Sequence, residues 1–468
     1  MDSAQVKGST DTYSTALGNR HVQMIAIGGA IGVGLFLGAG GRLQQAGPAL
    51  ILSYALCGVA AYFVMRALGE LVLHDPSSGS FVTYARKFVG PWAGFAAGWL
   101  YWLNWAMTGI AEITAVAIYV HKWLPGLPRW ITALAALAVL LAVNLVSVRM
   151  FGELEFWFSV VKVLAIVVFL VTGLGLVLTA AHVGGSTAGV HNLTGHGGFF
   201  PAGLGVTFMT LQAVVFAYAA IEVVGITAGE TKNPRKVLPK AINGVIWRIA
   251  FFYVGSVVLL AMLLPWSSYH SGESPFVTVF GLLGIPGIGD VMNAVVLTAA
   301  LSSCNSGLYS TGRILRALAE KGEAPAFTGR LNRKQVPFGG ILFTSAAYVL
   351  GVVLNYLVPS EAFDIAVAIS SIGVVSTWAT LVICQMRLRK AALRGELERP
   401  SYRMPGAPYT GWATLGFLVL VLVLMGFSDG PERIAFYSIP VLAVLLAIGW
   451  RFVSRNRVAG ERNRVGSR

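Results

Sequence analysis

Apolar residues run along this chain in long blocks separated by short polar segments. Windows of about 20 residues, the length that crosses a bilayer as a helix, give twelve candidate spans: near 22–41, 48–72, 95–121, 130–148, 156–180, 204–226, 242–264, 288–312, 338–358, 362–385, 411–428 and 434–452. The pattern predicts an all-α polytopic membrane protein. One block differs from the rest, because half of the residues from Gly28 to Gly41 are glycine. Glycine weakens a helix interior by roughly 0.5–1 kcal/mol relative to alanine, so this first span is expected to be broken. Backbone unwound at membrane depth must be enclosed by protein or line a cavity, since hydrocarbon offers its N–H and C=O groups no partner. A second, weaker break is expected at Phe216-Ala-Tyr-Ala-Ala-Ile-Glu-Val-Val-Gly, in the sixth span. Paired interruptions at corresponding positions of two halves point to an inverted repeat with substrate at its centre: five spans repeating five, with two extra C-terminal helices. Close helix packing is the competing reading of the glycines, because Gly28 with Gly32 and Gly34 with Gly38 each form a Gly-x-x-x-Gly pair.

Composition supports the membrane reading: of 468 residues, 56% are hydrophobic and only 12% charged. Charge adds an orientation. Placing the N-terminus inside collects most of the 34 lysines and arginines on that side and leaves Arg42, Lys122, Arg129 and Arg433 on the other. Residues 1–21 are then a cytoplasmic tail, 22–453 the membrane domain and 454–468 a basic cytoplasmic tail. The same alternation over short loops explains the net charge of +14 without a nucleic-acid partner. Residues 1–21 lack an apolar core with a cleavage site, so the first span is expected to act as an uncleaved insertion signal. The longest polar stretches, 313–337 and 386–410, read as basic connectors. Cys57, Cys304 and Cys384 are far apart within spans and suggest no disulfide framework. His182, His191 and His196 share one loop without a metal-ligand spacing. No nucleophile-and-base set is recognisable among the spans, and neither a cofactor nor an enzymatic activity is expected.

Ionisable residues inside spans cost about 2.5–3.5 kcal/mol each at a helix centre and are functional candidates. Here they are Glu70, Glu112, Lys162, Glu222, Arg248 and Asp290. Glu70, Arg248 and Asp290 lie near predicted ends, where side chains can snorkel, which favours a structural or interfacial reading. Lys162 has no charge adjacent in sequence, and two roles fit it: an ammonium that titrates during a work cycle, or a static brace between helices. Asn104, Thr108 and Glu112 recur every four residues and share one helical face. That face suits either hydrogen bonding between helices or a site that reads a polar, uncharged side chain.

Several ordered motifs then become recognisable: Ile27-Gly-Gly-Ala-Ile-Gly-Val-Gly-Leu-Phe-Leu-Gly, Arg66-Ala-Leu-Gly-Glu, Pro76-Ser-Ser-Gly-Ser-Phe, Glu155-Phe-Trp-Phe with Lys162, Glu230-Thr-Lys-Asn-Pro and Ser310-Thr-Gly-Arg. From His21 to about residue 453 the chain resembles bacterial amino acid permeases of the amino acid, polyamine and organocation superfamily. Within that family Asn104-Trp-Ala-Met-Thr-Gly-Ile, Ser302-Ser-Cys-Asn-Ser-Gly-Leu-Tyr, Leu354-Asn-Tyr-Leu-Val-Pro-Ser and Cys384-Gln-Met-Arg-Leu-Arg-Lys resemble the L-asparagine permeases. The resemblance implies a secondary transporter of the cell membrane that imports L-asparagine with protons by alternating access.

It also implies a site. The substrate carboxylate would meet backbone N–H groups of Gly32, Val33 and Gly34, at the positive end of the restarted helix. The ammonium would be held by carbonyls around Ala30, Phe216 and Ala219. Phe216 resembles the family's aromatic gate, and Lys162 matches its coupling lysine. Glu112, as a carboxylate within a span, is a second candidate for proton coupling. Side-chain selection would fall to Asn104, Thr108 and Asn305. The chain departs from the usual pattern at Val33, where threonine is common, and at Ala217 and Ala219, where serine and glycine are common. A permease or exchanger for another amino acid fits the same motifs; a channel or nutrient sensor fits them more distantly. Oligomeric state is left open.

Overall fold

The computed structural model describes residues 24, 31–77, 80–146, 148–226, 239–240, 242–244 and 247–465. Ala30, Gly28 and the Glu230 motif lie outside the described residues. Helices dominate. The first restarts as α1 (Val33–Phe36) and α2 (Gly38–Ala46), and is followed by α3 (Leu50–His74), the short α4 (Ser80–Phe88), α5 (Pro91–Trp123), α6 (Arg129–Val146) and α7 (Val148–Leu178). After a small hairpin pairing His182 with Thr187 and Val183 with Ser186 come α8 (Gly203–Met209), α9 (Leu211–Ala217) and α10 (Val223–Ile226). A π-helical turn at Ile249–Gly255 leads into α11 (Ser256–Leu263), then α12 (Pro275–Gly281), α13 (Ile288–Ala319), α14 (Phe338–Leu357), α15 (Ala362–Leu393), α16 (Tyr409–Gly426) and α17 (Pro431–Val465).

Among the described residues ten helical stretches are long and apolar enough to cross a membrane, and they coincide with ten of the twelve predicted windows. The other two windows are 22–41, of which 22, 23 and 25–30 lie outside the described residues, and 204–226, which does not stay helical. α13 and α15 run to Ala319 and Leu393, so the segments read as connectors begin as helix. α17 likewise continues to Val465, through most of the segment read as a tail.

Polarity is inverted relative to a water-soluble bundle. On α7 the positions Glu155, Ser159, Lys162, Ile166 and Phe169, spaced four and three apart, are all buried, whereas Leu164 and Val171 on the opposite face are 61% and 68% exposed. Leu350, Val139 and Ile448 are similarly bare. An apolar exterior of this extent is stable only against lipid, while polar groups cluster where helices can satisfy them.

At the centre α5 packs chiefly on α13 and α15. The approach to α15 is close enough that a Cβ on Gly373 would lie 2.4 Å from Cβ of Asn104. Buried carboxylates tie connecting segments to the bundle. Glu323 takes two hydrogen bonds from Arg86, at 2.7 and 2.5 Å, and its backbone carbonyl accepts from Trp99 Nε1 at 3.1 Å. Of the structural and interfacial roles open to Glu70, the structural one fits: it does not snorkel but is fully buried. Arg399 Nε at 2.5 Å, Gln385 Nε2 at 2.9 Å and the Met404 N–H at 2.9 Å hold its carboxylate. Three donors from a distant loop and helix make an internal partner better than the interface.

Candidate functional site

The first break centres on Gly32, whose backbone is extended (φ −129°, ψ −165°) before the chain turns helical at Val33. Leu35 and Phe36 N–H bond back to the Gly32 carbonyl, each at 3.3 Å. The N–H groups just before them belong to the start of a helix, where no intrahelical acceptor exists. The Glu112 carboxyl and the Ser303 hydroxyl stand beside them, both within reach of a Cβ placed on Gly32. Glu112 lies directly against the unwound backbone, because a Cβ at Gly32 would stand 3.1 Å from its Oε1. Its Oε2 has no hydrogen-bond partner among the described residues.

The second break lies opposite. α9 ends at Ala217, the chain turns through 218–222, and α10 resumes at Val223. Tyr218 N–H bonds to Val215 O at 3.1 Å and Ala219 N–H to Phe216 O at 2.9 Å, the tightened pattern of a terminating helix. Ala220 then takes φ +70°, a left-handed conformation that costs a residue with a Cβ roughly 1–2 kcal/mol. Such strain persists only where the surroundings hold it. Tyr218 anchors the turn by donating to Tyr54 O at 2.7 Å and stacking on Tyr253 at 4.6 Å. Glu222, at its far edge, is buried, and neither carboxylate oxygen has a hydrogen-bond partner among the described residues.

The two breaks meet at Gly34. A Cβ there would lie 2.6 Å from Ala217 Cα and 3.1 Å from Phe216 Cδ1, so backbone meets backbone and only glycine fits. The glycine at this position is therefore fixed by close approach as well as by the break. Gly32, Val33, Gly34, Phe216 and Glu112 are brought together in this way, with the buried Ala219 two residues beyond Ala217.

The remaining candidates divide. Asn104 and Thr108 share the face of α5 that meets α15, where Ser370 Oγ lies 2.6 Å from Asn104 Oδ1 and 2.8 Å from Thr108 Oγ1. Interhelical hydrogen bonding is thus present at both residues. Asn305 points another way, its Oδ1 accepting from Asn144 Nδ2 of α6 at 2.8 Å while its own Nδ2 is unpartnered among the described residues. No described contact joins Asn305 to the breaks. Lys162 donates to Ser302 Oγ at 2.9 Å and stands 3.9 Å from Glu155 Oε1, so it does have a charged neighbour, two turns earlier on its own helix. That pairing was hidden because the predicted fifth span starts at residue 156, whereas α7 starts at Val148 and carries Glu155 into the interior. Ser303 and Ser370 also escaped attention. Their signal was only that small polar residues recur within apolar helices.

The amino acid permease family model matches residues 21–463 of the chain. The chain is 57% identical over 449 residues to the L-asparagine permease of Escherichia coli (strain K12), covering 96% of this chain and 90% of that protein. It is 56% identical over 451 residues to the L-asparagine permease of Streptomyces coelicolor, covering 96% and 92%. To L-asparagine permease 1 of Mycobacterium tuberculosis (strain ATCC 25618 / H37Rv) it is 51% identical over 464 residues, covering 98% and 94%. Proteins of this kind move amino acids across a membrane and are transporters, not enzymes. With its apolar helices and two facing breaks, the chain belongs to the amino acid permease family.

Proposed function

We propose that this permease imports L-asparagine together with protons by alternating access. The observation that carries the reading is the junction of the two broken helices at Gly34 and Ala217, with Glu112 lying directly against the unwound backbone at Gly32. The curated relatives named above, all called L-asparagine permeases, support the substrate.

The amino acid carboxylate binds the N–H groups of Gly32, Val33 and Gly34, where the helix dipole favours negative charge. Its ammonium is held by carbonyls freed around Ala30, Phe216 and Ala219, and Phe216 closes over it. Glu112, a negative charge beside that backbone, competes with the substrate carboxylate there. Protonation removes the negative charge of Glu112, so proton and substrate bind with mutual advantage, as symport requires. Lys162, electrostatically linked to Glu112, participates in the same proton cycle. Asn104 and Thr108 read the side-chain carboxamide, exchanging hydrogen bonds now made with Ser370 for bonds to substrate, and Asn305 acts from behind through Asn144. A site that hydrogen-bonds a carboxamide rejects apolar analogues because its own groups are then left unpaired.

This reading places the protein in the cell membrane with both termini inside. It carries twelve spans: two inverted repeats of five, broken in their first members, and two additional helices. Residues 22–453 form the membrane domain, between a tail at 1–21 and a basic segment at 454–468. Uptake of labelled L-asparagine into proteoliposomes under an inward proton gradient, in competition with each of the twenty amino acids, tests it. Failure of unlabelled asparagine to compete overturns the substrate, and uptake indifferent to the gradient overturns the coupling.

A further inference from the structure

The buried face of α7 holds a feature that substrate binding does not use. Ser302 Oγ, from α13, accepts a hydrogen bond from Lys162 Nζ at 2.9 Å and donates one to Glu155 Oε1 at 2.7 Å. Ser159 Oγ donates weakly to the same oxygen at 3.5 Å. Glu155, Lys162 and Ser302 are all fully buried. Lys162 and Glu155 stand 3.9 Å apart, beyond a direct hydrogen bond, so the hydroxyl bridges them. Glu155 Oε2 has no hydrogen-bond partner among the described residues. A buried ion pair serves stability well only when its spare lone pairs are satisfied, and here one oxygen is left over. A hydroxyl that accepts from an ammonium and donates to a carboxylate can instead pass a proton.

We propose that Glu155 receives the proton that leaves Lys162, through the Ser302 hydroxyl, and hands it on toward the end of the bundle from which α7 starts. The N–H bond of the ammonium breaks as an O–H bond forms on Ser302, and the original Ser302 proton moves to Glu155 Oε1. Lys162 becomes a neutral amine and Glu155 a carboxylic acid, so an ion pair is exchanged for a neutral pair with no net charge created in the interior. Among the described residues the charged group facing Lys162 from the substrate side is Glu112 on α5, and α13 presents the neutral Ser302. Lys162, Ser302 and Glu155 thus form a hydrogen-bonded relay, with Glu112 as the charge on its substrate side. Glu155 lies seven positions before Lys162 on α7, toward the side expected to be cytoplasmic. The inference rests on the proton-coupled reading above.

The test compares the full-length protein with Glu155→Gln, Glu155→Asp and Ser302→Ala in proteoliposomes, using labelled L-asparagine in two assays. One is accumulation driven by an imposed proton gradient. The other is counterflow at equal pH, which needs binding and alternating access but no net proton movement. Glu155→Gln is expected to lose accumulation and keep counterflow, Glu155→Asp to recover part of the accumulation, and Ser302→Ala to slow accumulation with counterflow intact. Undiminished accumulation in Glu155→Gln or in Ser302→Ala overturns the relay alone. Loss of both activities in Glu155→Gln assigns Glu155 to structure and overturns it as well. A wild-type protein that performs counterflow but ignores the gradient overturns the coupling reading, and the relay with it.

Discussion

Two groups of buried carboxylates in this molecule are equally shielded from solvent and differently treated. Glu70 meets donors from Arg399, Gln385 and the Met404 backbone, which use both of its oxygens. At the breaks, Glu112 has an unpartnered Oε2 among the described residues, and Glu222 has neither oxygen partnered. Burial alone therefore does not distinguish a brace from a working group. Satisfaction does: a saturated carboxylate holds elements together, and an unsaturated one at an unwound backbone retains capacity for a proton or a ligand.

The contrast can be broken at four points. The largest effect is expected from Gly34→Val, because its side chain would meet Ala217 Cα within the 2.6 Å already reached by a Cβ; uptake in proteoliposomes should fall to the level of empty vesicles. Normal uptake would mean that the two breaks need not touch. Next comes Glu70→Ala, which leaves Arg399, only 17% exposed at its side chain, without its carboxylate. Removing one partner of such a pair costs about 3–5 kcal/mol, read as a lower melting temperature in detergent, with transport per folded molecule retained. Asn104→Ala should raise the half-saturation concentration for asparagine about tenfold, the equivalent of one lost hydrogen bond of about 1–1.5 kcal/mol. An equal rise for alanine, if alanine is carried, would reassign Asn104 to packing against α15. The smallest effect on stability belongs to Glu222→Gln. It removes no described hydrogen bond, so melting should shift by less than about 1 kcal/mol equivalent, and a drop as large as that of Glu70→Ala would reveal a brace where none is described.

Much of this arrangement was legible before any coordinates. The apolar windows matched ten helices because the length of a bilayer span is written directly in hydropathy. The glycine run announced the first break, and the four-residue spacing correctly put Asn104, Thr108 and Glu112 on one helix. It could not say that this face serves two neighbours, with Glu112 against Gly32 and Ser303, and Asn104 and Thr108 against Ser370. Glu155 was missed for a related reason. A boundary placed a few residues late left it outside the span, although its seven-residue offset from Lys162 was visible.

Sequence by itself determined the solvent, the helical class, the family and the existence of a weak point in the first helix, because each is a property of composition or of neighbours along one helix. Only the tertiary structure decided which weak points face each other and which charges are paired. Asn104 and Ser370 are 266 residues apart, and Lys162 and Ser302 are 140 apart. Periodicity fixes the side of a helix on which a residue lies. The partner standing opposite is chosen by packing, which settled Gly34 on Ala217 and hung Lys162 from Ser302.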